Sequence, residues 1–236
     1  MPTPSGDLGH GDERRDAVNA PLVIFDCDGV LVDSERLEVG TIAEALTWVG
    51  ADLDADALHD HHRGRVLADL FALVEQHIGE RLPDWFPTRY RQLQLARLAE
   101  VGLVPGADQV VQHVVVNGWR RCVVSGGPAA KMEVSLNACG LWEYFVPHLY
   151  SCYDIADHKP SPGIYRHALS VLGVSAEDCV AIEDSVVGVT AAAAAGVPVI
   201  GLARDTQPSA LLKAGAVTTV SAMADVIAVL GPLGSG

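Results

Sequence analysis

The chain has 236 residues, 49% of them hydrophobic and 19% charged, which suits a well-packed globular protein and excludes a disordered one. Its formal net charge of −14 opposes binding to a polyanion, so no nucleic-acid partner is expected. No apolar run approaches the roughly 20 residues that span a bilayer, so no membrane partner is expected either.

Residues 1–20 are polar, without the apolar segment of a secretory signal, and read as a flexible leader. Leu22-Val23-Ile24-Phe25 is then an apolar run long enough for one buried strand. It delivers Asp26 and Asp28, spaced by one residue and therefore on one face, and Gly29 lets the chain turn. Between Asp33 and Val104 the pattern is helical only. Leu37, Ile42, Ala45, Leu46 and Val49 follow helical spacing up to Gly50, and residues 66–78 and 90–101 look similar. Within that stretch, His59-Asp60-His61-His62 matches no zinc-ligand spacing and reads as an exposed helix end or loop. The tryptophans 48, 85, 119 and 142 read as packing residues, with Trp85 alone having a claim on substrate.

From residue 108 onward helix and strand alternate. Strands are expected at 120–124, 146–152, 179–182, 197–202 and 216–220. Helices are expected at 108–117, 129–139, 161–172, 185–195 and 208–214. Gly118, Gly140, Gly173, Gly196 and Gly215 stand where helices would end. This alternation indicates an α/β fold, a Rossmann-like, doubly wound parallel sheet covered on both faces, with an inserted all-helical cap. The expected organisation is a leader at 1–20, a catalytic core at 21–35 and 105–236, and a cap at 36–104. Cys27, Cys122, Cys139, Cys152 and Cys179 read as free thiols of a reducing compartment, hence a cytoplasmic location. Nothing in the sequence sets the oligomeric state, and a monomer is compatible with it.

Four patterns stand at expected strand ends or turns. Asp26 and Asp28 can hold a divalent cation or divide nucleophile and acid/base roles. Ser125-Gly126-Gly127 offers a hydroxyl and backbone N–H groups to a phosphate. Lys159, one of only three lysines, lies in His158-Lys159-Pro160-Ser161-Pro162, where an ammonium would offset phosphoryl charge. Glu183-Asp184 adds carboxylates that, with Asp26 and Asp28, make an all-oxygen site suited to Mg²⁺. Each pattern alone also fits an ordinary turn, surface lysine or helix cap.

Taken in order, DxDG(V/T), Ser, Lys-Pro and Glu-Asp resemble the haloacid dehalogenase superfamily of phosphotransferases. The fragments FDCDGVLVDSE, HKPSPGIY and AIEDSVVGV look like the branch with a helical cap, which holds phosphoglycolate phosphatases, sugar-phosphate phosphatases and β-phosphoglucomutases. FDCDG and LYSCYDIADHKP are most similar to the 6-phosphogluconate phosphatase type. The resemblance implies that Asp26 is the nucleophile and Asp28 the general acid and base. It further implies that Ser125, Gly126 and Lys159 hold the phosphoryl group. Mg²⁺ would be bound by Asp26, the Asp28 carbonyl, Asp184 and Glu183, the last directly or through water. Small phosphorylated metabolites become the expected partners.

Asp28 argues against the family's dehalogenases, which lack it. The absence of any lysine between residues 36 and 104 argues against its phosphonatases. Where the mutases carry a cap histidine this chain has Glu38, and Arg63-Gly64-Arg65 replaces their cap signature. Arg63 and Arg65 are candidates for binding an anionic substrate. The expectation is a Mg²⁺-dependent phosphatase of a sugar or sugar-acid phosphate, acting through an aspartyl phosphate. The alternatives are a β-phosphoglucomutase-like phosphotransferase and, from another class, an aspartate-phosphorylated signalling module.

Overall fold

A computed structural model describes residues 21–62 and 66–231. Six strands form one parallel sheet in the order β3-β2-β1-β4-β5-β6. They are β1 (Leu22–Phe25), β2 (Arg120–Ser125), β3 (Leu149–Ser151), β4 (Cys179–Glu183), β5 (Val199–Leu202) and β6 (Thr218–Val220). β1 is central, with Leu22–Phe25 aligned against Arg120–Val123 on one side and Cys179–Ile182 on the other. Successive strands step outward from β1 in both directions, so the carboxyl end of β1 lies at the point where strand order reverses. In doubly wound sheets that point forms the ligand crevice.

The alternation along β1 sorts its side chains into two cores. Val23 and Phe25 pack with Val110, Val114, Met132 and Leu136 on one face, while Leu22 and Ile24 pack with Ile164, Ala168, Val189 and Ala192 on the other. All four β1 side chains are fully buried, so the run is continuously apolar, as a strand covered on both faces must be.

Four helices make up the insertion that follows β1: α1 (Glu35–Trp48), α2 (Ala55–His62), α3 (Leu67–Ile78) and α4 (Phe86–Leu98). They have a core of their own, in which Ile42, Leu46, Leu70, Val74, Phe86 and Tyr90 are buried. Phe71 meets both Phe86 and Tyr90 edge-on at 5.4 Å, a geometry that adds roughly 0.5–1.5 kcal/mol per pair beyond area burial. The two chain crossings into this insertion are tied to each other. Asp33 N donates to Gly102 O at 2.9 Å and Val104 N to Leu31 O at 3.0 Å, beside a bridge between Val32 and Leu103.

After the insertion come α5 (Ala107–Val116), α6 (Ala129–Ala138), α7 (Trp142–Phe145), α8 (Cys152–Ile155), α9 (Gly163–Leu172), α10 (Val186–Ala194), α11 (Pro208–Ala214) and α12 (Val226–Leu230). The glycines expected to end helices at 118, 140, 173, 196 and 215 all have positive φ. Three expectations need correction. The histidine run does end a helix, with Asp60 and His61 exposed, but α2 turns His59 inward to 6% exposure, with Nδ1 3.5 Å from Glu35. The apolar stretch 146–152 supplies only three strand residues, since Ser151 caps a helical turn by accepting from Tyr153 N at 3.1 Å. Trp85 packs on Trp48 and Phe86 and does not line the principal cavity. Cys27, Cys122, Cys152 and Cys179 are buried free thiols and Cys139 is half-buried. Among the described residues no helix is long and apolar enough to cross a membrane.

Candidate active site

The carboxyl ends of β1, β2 and β4 meet beneath the helical insertion around a cavity of about 90 Å³. Asp26, Asp28, Gly126, Lys159 and Asp184 line it from the sheet side, and Glu38, His59, His62, Arg91 and Gln94 from the insertion. Asp26 follows the last residue of β1, and its N–H donates to Ile182 O at 3.0 Å, which extends the β1–β4 ladder one residue further. Cys27 O accepts from both Leu31 N and Val32 N at 3.0 Å, so the loop carrying Asp28 closes tightly on itself. Gly29 is required here: φ is +77°, and a Cβ would overlap the Asp184 carboxylate.

Lys159 is 5% exposed at the centre of the acids. Its Nζ donates to Asp26 Oδ1 at 2.7 Å, Glu183 Oε1 at 2.5 Å and Val124 O at 3.2 Å. Glu183 Oε1 also accepts from the Tyr165 hydroxyl at 2.6 Å, and Glu183 Oε2 from the Ser185 hydroxyl at 3.4 Å. The Glu183 carboxylate rests against the first turn of α10, where only a glycine leaves room; a Cβ at Gly188 would overlap it. Burial, then the neighbouring Glu183 charge, push Asp26 up to about 7 against the pull of Lys159. Burial disfavours a charged Lys159, but the Asp26 and Glu183 carboxylates outweigh this and hold the ammonium well above its usual value.

A second cation bridges sheet and insertion. Lys131, in the first turn of α6, has Nζ 3.0 Å from Asp28 Oδ1 and 2.8 Å from Glu38 Oε1. Gln94 Nε2 donates to both Glu38 oxygens at 2.9 Å, and the Ser34 hydroxyl donates to Asp28 Oδ1 at 2.8 Å. Burial would raise the Asp28 carboxyl, but Lys131 and Ser34 hold it below the usual carboxylate range.

Ser125 ends β2 and is buried, and its Oγ accepts from Gly127 N at 3.0 Å, which folds the turn so that Gly126 borders the cavity. Ser125, Gly126, Lys159, Glu183 and Asp184 thus gather around Asp26 and Asp28. Arg63 and Arg65 lie outside the described residues. Sequence reasoning gave no role to Lys131, Tyr165 or Gln94. The first had a signal, being one of three lysines in an acidic chain and set just beyond the Ser-Gly-Gly turn. Tyr165 and Gln94 had none, because nothing in helical periodicity says which buried polar residue meets a carboxylate across the fold.

The donor set also bears on a metal. Asp26, Glu183 and Asp184 offer buried carboxylate oxygens within 4.8 Å of one another, an all-oxygen group suited to a hard cation such as Mg²⁺. Close approach of backbone at Gly29 and Gly188 fixes two of these carboxylates in place.

The haloacid dehalogenase-like hydrolase model matches residues 20–196, three quarters of the chain, and spans every element that builds this site. The chain belongs to the haloacid dehalogenase-like hydrolases. Among relatives in this family, 6-phosphogluconate phosphatase of Escherichia coli is 31% identical, over 78% of this chain and 82% of that protein. A conserved haloacid dehalogenase-like protein of Agrobacterium tumefaciens is 32% identical with TM-score 0.77, covering 91% of this chain and 99% of that one. A haloacid dehalogenase family hydrolase of Deinococcus radiodurans, solved with bound phosphate and sodium, is 27% identical with TM-score 0.75, covering 92% and 97%. The chain is therefore a family hydrolase with an α/β core, and named phosphatases are among its relatives.

Proposed function

We propose that this chain is a Mg²⁺-dependent phosphatase of a small phosphorylated metabolite, a sugar or sugar-acid phosphate, acting through an aspartyl phosphate on Asp26. The observation that carries this reading is Asp26 itself. It stands at the switch point of the sheet with one oxygen held by Lys159, beside an oxygen-only cation site. Asp26, the Asp28 carbonyl and Asp184 would hold Mg²⁺, with Glu183 behind them, and the ion would supply positive charge to the transferring phosphoryl group.

The entering phosphate dianion raises the Asp28 carboxyl from its resting state so that it takes up a proton. Asp26 Oδ2 then attacks phosphorus, the bond to the leaving oxygen breaks, and Asp28 delivers that proton to it. Asp28 then takes a proton from the water that hydrolyses the aspartyl phosphate. Its orientation is set by Ser34 and Lys131. The Ser125 hydroxyl and the amides of the glycine turn receive phosphoryl oxygens, while Lys159 offsets charge that would otherwise keep a carboxylate and a phosphate apart. Glu183 and Tyr165 position Lys159. Residues 36–104 act as a cap that excludes bulk water, hinged where Asp33 and Val104 are paired to the opposite crossing.

Hydrolysis is favoured over mutase chemistry by Glu38. At the position where a mutase histidine is expected, its carboxylate is committed to Gln94 and Lys131. A signalling module is disfavoured by Asp28, whose approach to the same cavity equips the site to discharge a phosphoaspartate. Phosphate release from a panel of sugar phosphates, sugar-acid phosphates and phosphoglycolate, with Mg²⁺ and with EDTA, tests the reading. Metal-dependent release supports it. Isomerisation of β-glucose 1-phosphate without release would favour the mutase.

A further inference from the structure

We propose that Glu38 is a specificity-determining residue that selects leaving groups bearing a hydroxyl beside the phosphoester carbon and rejects those bearing a carboxylate there. The inference rests on the phosphatase reading and concerns the same cavity.

The geometry is local to the leaving-group side of the site. One ammonium, Lys131 Nζ, touches both Asp28 Oδ1 and Glu38 Oε1, so Glu38 lies next to the carboxyl that faces the leaving oxygen. It therefore confronts the first carbons of the leaving group and not the far end of a long substrate. Gln94 is buried, and its Nε2 spans both Glu38 oxygens, which pins the carboxylate plane. The Gln94 Oε1 in turn accepts from Arg91 Nη1, so the amide cannot flip to present its carbonyl to Glu38. A fixed carboxylate with lone pairs remaining is an acceptor for a sugar hydroxyl, and the same hydroxyl can accept a proton of Lys131.

A substrate carboxylate at that point meets different conditions. Both lysines of the site already hold two carboxylates each: Lys159 holds Asp26 and Glu183, Lys131 holds Asp28 and Glu38. A further negative charge would stand against Glu38 and Asp28, and Arg91, the remaining cation among the described residues of the wall, already donates to Gln94. His62 adds to the contrast. Among the described residues its Nδ1, buried on the same cavity wall, has no hydrogen-bond partner, and burial pushes the ring down to about 4. It is thus a neutral ring, able to pair with a hydroxyl but not to compensate a carboxylate.

The test compares matched pairs with the purified full chain and Mg²⁺: glycerol 2-phosphate against 2-phosphoglycerate, and 2-hydroxyethyl phosphate against phosphoglycolate. Each is read as kcat/KM for phosphate release and as competitive inhibition of the best substrate of the panel. The alcohols should be favoured by roughly 30-fold or more, the scale of an uncompensated like charge in a closed site. Glu38→Gln should bring the ratio to within about 3-fold, chiefly by improving the acids, because Lys131 is released from one carboxylate. Acids handled as well as alcohols by the wild-type protein would overturn the inference alone and pass recognition to Arg91. No metal-dependent phosphate release from any compound of the panel would overturn the phosphatase reading and this inference with it.

Discussion

Asp26 and Lys159 show how far a buried site departs from solution chemistry. Lys159 Nζ is enclosed between the buried carboxylates of Asp26 and Glu183. Replacing it with Met leaves both without a cation, and breaking a buried ion pair from one side costs about 3–5 kcal/mol. Urea denaturation of Lys159→Met with EDTA present should show that loss; a change under about 1 kcal/mol would contradict the arrangement. Asp26 gives a pH signature of opposite sense to the usual carboxylate. Its folded-state pKa, about 7, lies above its ordinary value of 3.8, so the native state binds the extra proton between those values. Its contribution to stability is therefore complete below about pH 4 and is lost as pH rises towards about 7. In metal-free protein, the stability of wild type relative to Asp26→Asn should fall across that window. Mg²⁺ should offset the fall near neutral pH, where it meets the ionised carboxylate. A difference that rises with pH in EDTA would refute the assignment.

At the scale of elements, the site depends on glycines that let backbone approach carboxylates. Gly188 in α10 is not in a left-handed conformation, so Gly188→Ala isolates sterics: its methyl group must displace Glu183, and with it Lys159. Overpacking of this kind costs about 1–3 kcal/mol, and phosphate release should fall at least tenfold. Wild-type activity in a stable Gly188→Ala protein would show that Glu183 has no positioning role. The same elements explain what the sequence made legible. β1 and β4 are continuous apolar runs that end in acids, and α9 and α11 end at glycines, so strand ends and the residues on them could be read directly. The short helix α2 was hard to read because ADALHDHH is short and carries few apolar residues; it is settled by packing of His59 towards Glu35 and of Leu58 on the insertion core. Lys131 and Gln94 were hidden for another reason. Lys131 meets Glu38 across the interface between sheet and insertion, and Gln94 meets Glu38 from another helix of the insertion; such contacts between distant segments leave no trace in local spacing.

For the whole molecule, a doubly wound sheet brings the ends of β1, β2 and β4 to one crevice, and an insertion immediately after β1 must stand over it. Motion of the insertion away from the sheet would widen the cavity between them and admit substrate. Lys131 is the side chain that such a motion parts from Glu38 or Asp28. Lys131→Ala should therefore loosen the closed arrangement, seen as faster amide exchange in α1 and α4 while the sheet keeps its protection. Unchanged exchange in those helices would mean that the bridge does not hold the insertion down. The central claim is narrower, that phosphoryl transfer passes through Asp26. The direct measurement is to incubate Asp28→Asn protein with its best substrate and Mg²⁺, quench in acid, and map the modified residue by mass spectrometry. A phosphoryl group on Asp26 that accumulates because its hydrolysis is stalled is the predicted result. A phosphoryl group elsewhere, or unimpaired turnover with no trapped species, would contradict the account.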